Sequence, residues 1–180
     1  MRVFLCKAKE KGEKVIHIGI DPGQTGAIAF LTDNAEYVLD FSETGKTIEW
    51  MMSAGQNSGA VAILEAQFPH KQTNKKNDDG SDVWQGAMST GKLMTNYGRW
   101  QGRLEMAGIP FQEVHPSTWR AALCKGHPLY RVKGKSKELS LEVAKSLFPG
   151  MSQHLKRKKD HGRADALLIA YYGKKYLTRI

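Results

Sequence analysis

Residues 15–41 read VIHIGIDPGQTGAIAFLTDNAEYVLDF. Val15–Ile20 alternates and is rich in β-branched residues, which predicts a strand that ends at Asp21. Pro22-Gly23-Gln24-Thr25-Gly26 is a tight turn. Ala27–Thr32 and Glu36–Phe41 read as two further strands, joined through the hairpin signal Asp33-Asn34. Beyond them, Ala60–Leu64 is a continuous apolar run of the kind found in a central strand, with Glu65 just past its end. Phe111–Val114 is a fifth strand. Helices are expected over Thr44–Met52, Val83–Ala107, Ser117–Leu123, Lys135–Leu147 and Gly162–Leu177, and Pro69–Asp82 is polar and structureless by pattern. Three adjacent strands, then helices alternating with two more, predict one α/β domain around a mixed five-stranded sheet flanked by helices. There is no internal repeat. Residues 1–180 read as a single domain, with residues 1–14 a flexible or peripheral segment.

Composition narrows the classes. The chain has 180 residues, 41% hydrophobic and 25% charged, the profile of a globular protein. No apolar run is long enough to span a bilayer, and the first residues lack the apolar core of a secretion signal. Cys6 and Cys124 form no CxxC motif and read as reduced thiols. The expected compartment is the cytoplasm of a bacterial or phage-infected cell.

The net charge of +9 is concentrated. Residues 120–159 hold eleven Lys/Arg and two acids, while the rest of the chain holds sixteen of each. A neutral body with one basic segment points to a polyanion, and nucleic acid is the expected partner. The alternative is a solvated lysine-rich surface.

Three acids sit where scaffold elements end. Asp21 closes the first strand, Glu65 the central strand, and Asp165 lies in the last helix shortly after Asp160 and His161. A carboxylate at the end of an apolar strand must be solvated, paired or metal-bound. Converging carboxylates repel one another, a divalent cation relieves this, and oxygen-only sets favour Mg2+ or Mn2+. Two such ions about 4 Å apart support phosphodiester hydrolysis. Taken one at a time, Asp21 also reads as a turn residue and Asp160 as a helix N-cap.

The long helix has two unlike faces. Leu93, Tyr97, Trp100, Leu104 and Ala107 form an apolar stripe that should cover the sheet. Gly91, Gly98 and Gly102 form the opposite stripe, at a cost of about 1 kcal/mol per glycine relative to alanine. Close approach of a second backbone would offset that cost. The candidates are the same helix in a second copy of the chain, giving a homodimer, and another helix of this chain.

At this point the residues resemble a known family. Ile18-Gly-Ile-Asp-Pro-Gly-Gln-Thr-Gly26, Ala62-Ile-Leu-Glu65 and Asp160-His-Gly-Arg-Ala-Asp-Ala-Leu-Leu-Ile-Ala170 look like the successive acidic motifs of RuvC-type Holliday-junction resolvases. His115-Pro-Ser-Thr-Trp119 and Lys137-Glu-Leu-Ser-Leu-Glu-Val-Ala-Lys-Ser-Leu-Phe-Pro149 also look like segments of the phage, bacterial and chloroplast branch. The likeness runs from Val15 to Tyr176, in order. It implies an RNase H-like nuclease domain, a homodimer, and Mg2+-dependent paired nicking of four-way DNA junctions with two ions per site. By the resemblance Asp21 and Glu65 match the first two acids, Asp165 the last, and Lys137 a lysine near the scissile phosphate. The third acid is open. Many bacterial members carry an acid or His where this chain has Gly162, whereas the chloroplast branch has an acid at the position of Asp160. His161 shares Asp165's helical face at four residues' spacing, and Asp160 reaches the site only from a non-helical position. Asp160 is favoured as the ligand, with His161 a nearby acid/base or phosphate contact.

Softer candidates for DNA contact are Phe68, Lys71, Lys75 and Lys76, on a polar loop after Glu65 that could enter the junction centre. The basic segment adds Arg120, Lys133, Lys135, Lys156, Arg157, Lys158 and Lys159. Phe68 and Trp84 could equally pack back on the body. The remaining histidines, among them His70, show no metal-ligand spacing. Asp21-Pro-Gly-Gln-Thr25-Gly also matches the phosphate turn of actin-like and sugar-kinase ATPases, but those need two lobes and this chain has one such turn. Cleavage of RNA–DNA hybrids and non-catalytic junction binding remain as rival functions.

Overall fold

The structure is a computed structural model that describes residues 15–23, 26–41, 44–56, 59–69 and 71–177. The expectation for residues 1–14 and the readings of Cys6, Gln24, Thr25 and His70 fall outside the described residues. In chain order the elements are β1 (Ile16–Asp21), β2 (Ala27–Leu31), β3 (Glu36–Asp40), α1 (Thr44–Gln56), β4 (Ala60–Glu65), β5 (Lys71–Lys76), β6 (Asp82–Trp84), α2 (Ala87–Met106), β7 (Phe111–Val114), α3 (Pro116–Cys124), α4 (Ser136–Leu147) and α5 (His161–Tyr176). Short 3-10 turns at Pro149–His154 and Lys158–Asp160 join α4 to α5.

The five expected strands form one sheet in the order β3-β2-β1-β4-β7. β1–β2 and β2–β3 are antiparallel, and β1–β4 and β4–β7 are parallel. The sheet is mixed, as expected. One region differs. Residues expected to be structureless after Pro69 form a separate antiparallel hairpin, β5–β6, closed by a turn at Asn77–Gly80. Gly80 has φ +80°, a conformation that costs glycine nothing. The hairpin also takes Val83 and Trp84, so α2 starts at Ala87.

Pleat alternation sends neighbouring residues to opposite faces of the sheet. Ile18, Ile20, Ile28, Phe30, Ala62 and Leu64 pack with Met51 of α1 and with Tyr97, Trp100 and Leu104 of α2. Ala27, Ala29, Leu31 and Ile63 face α5 and the helices behind it, α3 and α4. The result is three layers, with the sheet between two helical layers.

One contact sets how closely α5 lies on the sheet. A Cβ placed on Gly19 of β1 would stand 2.2 Å from the carbonyl oxygen of Ala166 and 2.3 Å from the amide nitrogen of Ala170. Both neighbours are backbone, so no side-chain rotation relieves the clash. Gly19→Ala is therefore expected to cost about 3 kcal/mol or more of stability, read as a lowered urea midpoint. A loss below about 0.5 kcal/mol would show that the helix moves away freely.

Candidate functional site

Asp21 and Glu65 are brought together by strand register. Ile20 pairs with Leu64 across parallel β1 and β4, so the next residues, Asp21 and Glu65, end the two strands level with one another. Ile20 and Leu64 face α2, so the pleat turns both acids toward α5, which carries Asp165. All three carboxyls are buried.

Their electrostatics follow from that burial. Desolvation pushes the Asp21 carboxyl well above its usual range, and the charges of Glu65 and Asp165 push it further; the amide of Gly23 and Arg120 act the other way. Glu65 is raised to about 7 by burial and by Asp165, against Arg120, Trp119 and Gln67. Asp165 is raised by burial, opposed by Arg120, Ser140 and His161. The acids thus hold one another in a state that added positive charge would relieve.

The surrounding donors are specific. Gly23 N–H donates to Asp21 Oδ1 at 2.9 Å. Trp119, wholly buried, donates its indole N–H to Glu65 Oε1 at 2.9 Å, and Gln67 Nε2 donates to Oε2 at 3.1 Å. Arg120 Nη2 lies 3.4 Å from Asp165 Oδ2 and 3.9 Å from Glu65 Oε1, with its guanidinium 4.6 Å from the centre of the Trp119 ring. Asp165 Oδ1 is buried with no hydrogen-bond partner.

Asp160 stands apart from this set. Desolvation pushes its carboxyl up, but Arg157 outweighs it and holds the pKa below the usual value. Arg157 donates from its backbone at 2.8 Å, from Nε at 3.1 Å and from Nη2 at 2.8 Å. Asp160 is indeed outside α5, as its favoured role requires, yet its side chain turns back onto the preceding 3-10 turn. His161 opens α5, accepts or donates at Nδ1 with Lys158 O at 3.2 Å, and acts on the charge of Asp165.

The DNA candidates divide. Arg120, counted from sequence with the basic surface, lies among the acids. Lys71 is ion-paired with Asp82 and sits over the Trp84 ring, Lys135 pairs with Glu138, and Arg157 pairs with Asp160. Lys133, Lys156, Lys158 and Lys159 are exposed. Lys75 and Lys76 lie on β5, and their side chains are outside the described ones. Phe68 is 57% exposed and stacks on His115, with ring centres 5.8 Å apart. Lys137 is exposed in the first turn of α4, one turn before the buried Ser140, whose hydroxyl donates to Ser136 O at 3.1 Å and which lowers the Asp165 pKa. Sequence reading passed over Trp119 and Gln67 as partners of Glu65; the available signal was their place in a quoted motif and two residues beyond the acid.

The chain matches no family model. The curated "Holliday junction resolvase MOC1, chloroplastic" of Chlamydomonas reinhardtii is 44% identical over 73 residues, which are 41% of this chain and 8% of that protein. This chain thus spans about a twelfth of that relative's length. Two solved structures of Thermus thermophilus RuvC each align over 91% of this chain and 96% of theirs. The one in complex with a Holliday junction substrate has a TM-score of 0.53 at 16% identity, and the other 0.51 at 18%. The fold is that of RuvC. The chain is similar to RuvC-type resolvases, as its motifs suggested, and has the RNase H-like α/β architecture they implied. Among the described residues no helix is long and apolar enough to cross a membrane.

Raised carboxyl pKa values have a defined sign in stability. Between pH 4.5 and about 7 the unfolded chain has lost the Glu65 proton that the folded chain keeps. The group's contribution is therefore fully present at low pH and falls as pH rises through that window. Glu65→Gln keeps an acceptor for Trp119 and removes the titration. In EDTA, wild type is expected to lose on the order of 3 kcal/mol relative to this variant between pH 4.5 and pH 7. Urea unfolding at several pH values checks it, and parallel curves for the two proteins would refute it.

Proposed function

We propose that this chain is a divalent-metal-dependent endonuclease that resolves four-way DNA junctions by paired symmetric nicks. The observation that carries the reading is the set of three buried acids, from three elements of a RuvC fold, all raised in pKa by burial, with Asp165 raising Glu65 and both raising Asp21. The printed names of its relatives, a Holliday junction resolvase and RuvC bound to a junction, support the substrate. The reading places the chain where that DNA is, in the cytoplasm of a bacterial or phage-infected cell; the curated relative is chloroplastic.

The donor set suits Mg2+ or Mn2+. It consists of carboxylate oxygens, it carries an orphaned buried acceptor in Asp165 Oδ1, and one guanidinium faces three acids. Among the described residues no three His, Cys, Asp or Glu side chains form a ready-made cage, so the acids would close in on binding. Asp21, Glu65 and Asp165 would hold the ions, two per site, and Asp160 joins them only if released by Arg157. When bound, the ions supply an activated water and charge stabilisation at the leaving oxygen. The chain's own groups do the rest. Trp119 and Gln67 fix the Glu65 carboxylate in one orientation. Lys137 neutralises charge on the scissile phosphate, and His161 acts as a phosphate contact or proton carrier beside Asp165. Lys133, Lys156, Lys158 and Lys159 hold the arms through phosphates.

Paired incision needs two sites related by a two-fold axis. The glycine stripe of α2 fits this. A Cβ at Gly91, Gly98 or Gly102 would meet nothing within 4 Å, so no described segment of the same chain packs there. The internal helix crossing weighed from sequence is thereby removed for the described residues, and we assign the stripe to a homodimer contact.

A nicking assay on a labelled four-way junction, beside a duplex and an RNA–DNA hybrid, tests the reading. Cleavage is expected on the junction alone, with Mg2+ and not with EDTA. Asp21→Asn is expected to lose cleavage at least about a hundredfold while binding holds, since binding rests on phosphate contacts. Preferential cutting of the hybrid would transfer the function to RNase H-type hydrolysis.

Gly98→Leu is expected to give a folded monomer by sedimentation, which nicks a cruciform plasmid once without pairing the cuts. A variant that remains dimeric with paired cuts would place the interface elsewhere.

A further inference from the structure

α2 has a third face. At about 100° per residue, Lys92, Arg99 and Arg103 fall within about 40° of one another, between the buried aromatic arc and the bare glycine arc. They span twelve residues, eleven rises or about 16 Å along the helix. A duplex strand carries a charge about every 3.4 Å, so the row is as long as roughly five phosphates.

These three cations line a groove of about 890 Å³ between α2 and the turn after β1. No Asp or Glu is among its described lining residues. Pro22, the residue after Asp21, is among its lining residues. Asn96 holds the helix to that turn, donating from Nδ2 to Pro22 O at 3.1 Å and to Gly23 O at 3.4 Å. The groove thus borders the turn that follows Asp21, while the acids themselves face α5. Arg103 is held in place by stacking on Trp100, 4.7 Å from ring centre to guanidinium. Burial and the neighbouring Arg99 charge pull its pKa below the ordinary arginine range, a like-charge strain that an anion relieves.

We propose that this groove binds the phosphate backbone of a DNA strand beside the turn that follows Asp21, with Lys92, Arg99 and Arg103 as phosphate contacts. The site is separate from the basic segment at residues 120–159, and the inference rests on the junction-nuclease reading for the identity of its polyanion. The shape suits a polymer better than a small anion: a 16 Å row of cations has no single focus, whereas a strand meets each in turn.

The test is binding of a fluorescein-labelled four-way junction by the full chain in EDTA, at salt from 50 to 300 mM. Arg99→Gln, Arg103→Gln and Lys92→Gln are compared with Lys175→Gln, an exposed lysine at the far end of α5 that removes the same charge elsewhere. Circular dichroism checks the fold of each, and Lys92, exposed and unstacked, serves if an arginine change unfolds the chain. Each groove variant is expected to bind roughly tenfold more weakly at 0.1 M salt, with the slope of log K against log salt shallower by about 0.9. Lys175→Gln should leave the slope unchanged. If wild type binds the junction and all groove variants keep its slope, the groove is not a DNA site and the junction reading survives. If the control lowers the slope equally, the effect is net charge and the inference fails. If wild type binds no junction, both readings fall.

Discussion

The absence of a side chain at Gly19 is the constraint on which the site depends. It lets the backbone of α5 rest on β1 at Ala166 and Ala170. Asp165 is the residue before Ala166, so the point of closest approach and the acid are one position apart. At the other end of the helix a Cβ on Gly173 would stand 2.5 Å from Ile63 Cγ1 of β4. Two bare positions thus fix the helix against two neighbouring strands, β1 and β4. Those are the strands that end in Asp21 and Glu65. A helix docked through side-chain layers would leave its acid free to drift with each rotamer; docking through backbone does not.

That rigidity is bought with electrostatic strain. Three carboxyls are buried where desolvation opposes ionisation, and at Asp21 and Glu65 the charge of a neighbouring acid adds to it. The neighbours compensate only in part. Arg120 reaches Asp165 and Glu65 through one nitrogen, Nη2, while its guanidinium lies over the Trp119 ring. Trp119 in turn spends its single donor on Glu65. Trp119 and Arg120, adjacent on α3, thus serve one carboxylate from two directions. Positive charge brought to the acids would lower their pKa values together, so stability and cation binding should be linked in this protein.

The sheet was legible because its strands obey one simple rule each. β4 is continuously apolar as a central strand, and β1 to β3 are punctuated by strong turn signals. The hairpin β5–β6 was not legible, because KQTNKK is polar throughout and its alternation carries no hydrophobic contrast. The clue was the turn NDDG at residues 77–80, whose last residue has positive φ. The acids at strand ends could be read because burial at those places demands a reason. The surroundings of Asp160 were not legible in the sequence. Its local partner Arg157, three residues back, captures the carboxylate before any long-range site can. Arg120 shows another limit: a charge tally counts a cation without saying which way it points. Similarly, the glycine stripe could be seen in sequence, but only the fold shows that the described chain leaves it bare.

α2 joins these elements, since its three arcs answer to three different demands. Tyr97, Trp100 and Leu104 are buried against the sheet and fix the helix axis. Asn96 then ties that axis to the turn following Asp21. The outer arc bears no side chain at Gly91, Gly98 and Gly102 and is rimmed by Met88 and Met106, 78% and 66% exposed. Methionine is adaptable and apolar, which suits the border of a close helix contact. The cationic row lies between the two arcs, and Gly91 and Met88 also line its groove, so the proposed dimer contact and the proposed DNA groove share that edge of the helix. A two-fold axis through the glycines would set two such rows in one dimer, each tied through Asn96 to the turn after its own Asp21. The two acid sites would then be connected through a pair of helices, each tied by Asn96 to the tight turn after Asp21. For paired cuts on one junction that matters more than affinity, because the separation of the two scissile phosphates is set by the DNA, and only a stiff connection can match it at both strands.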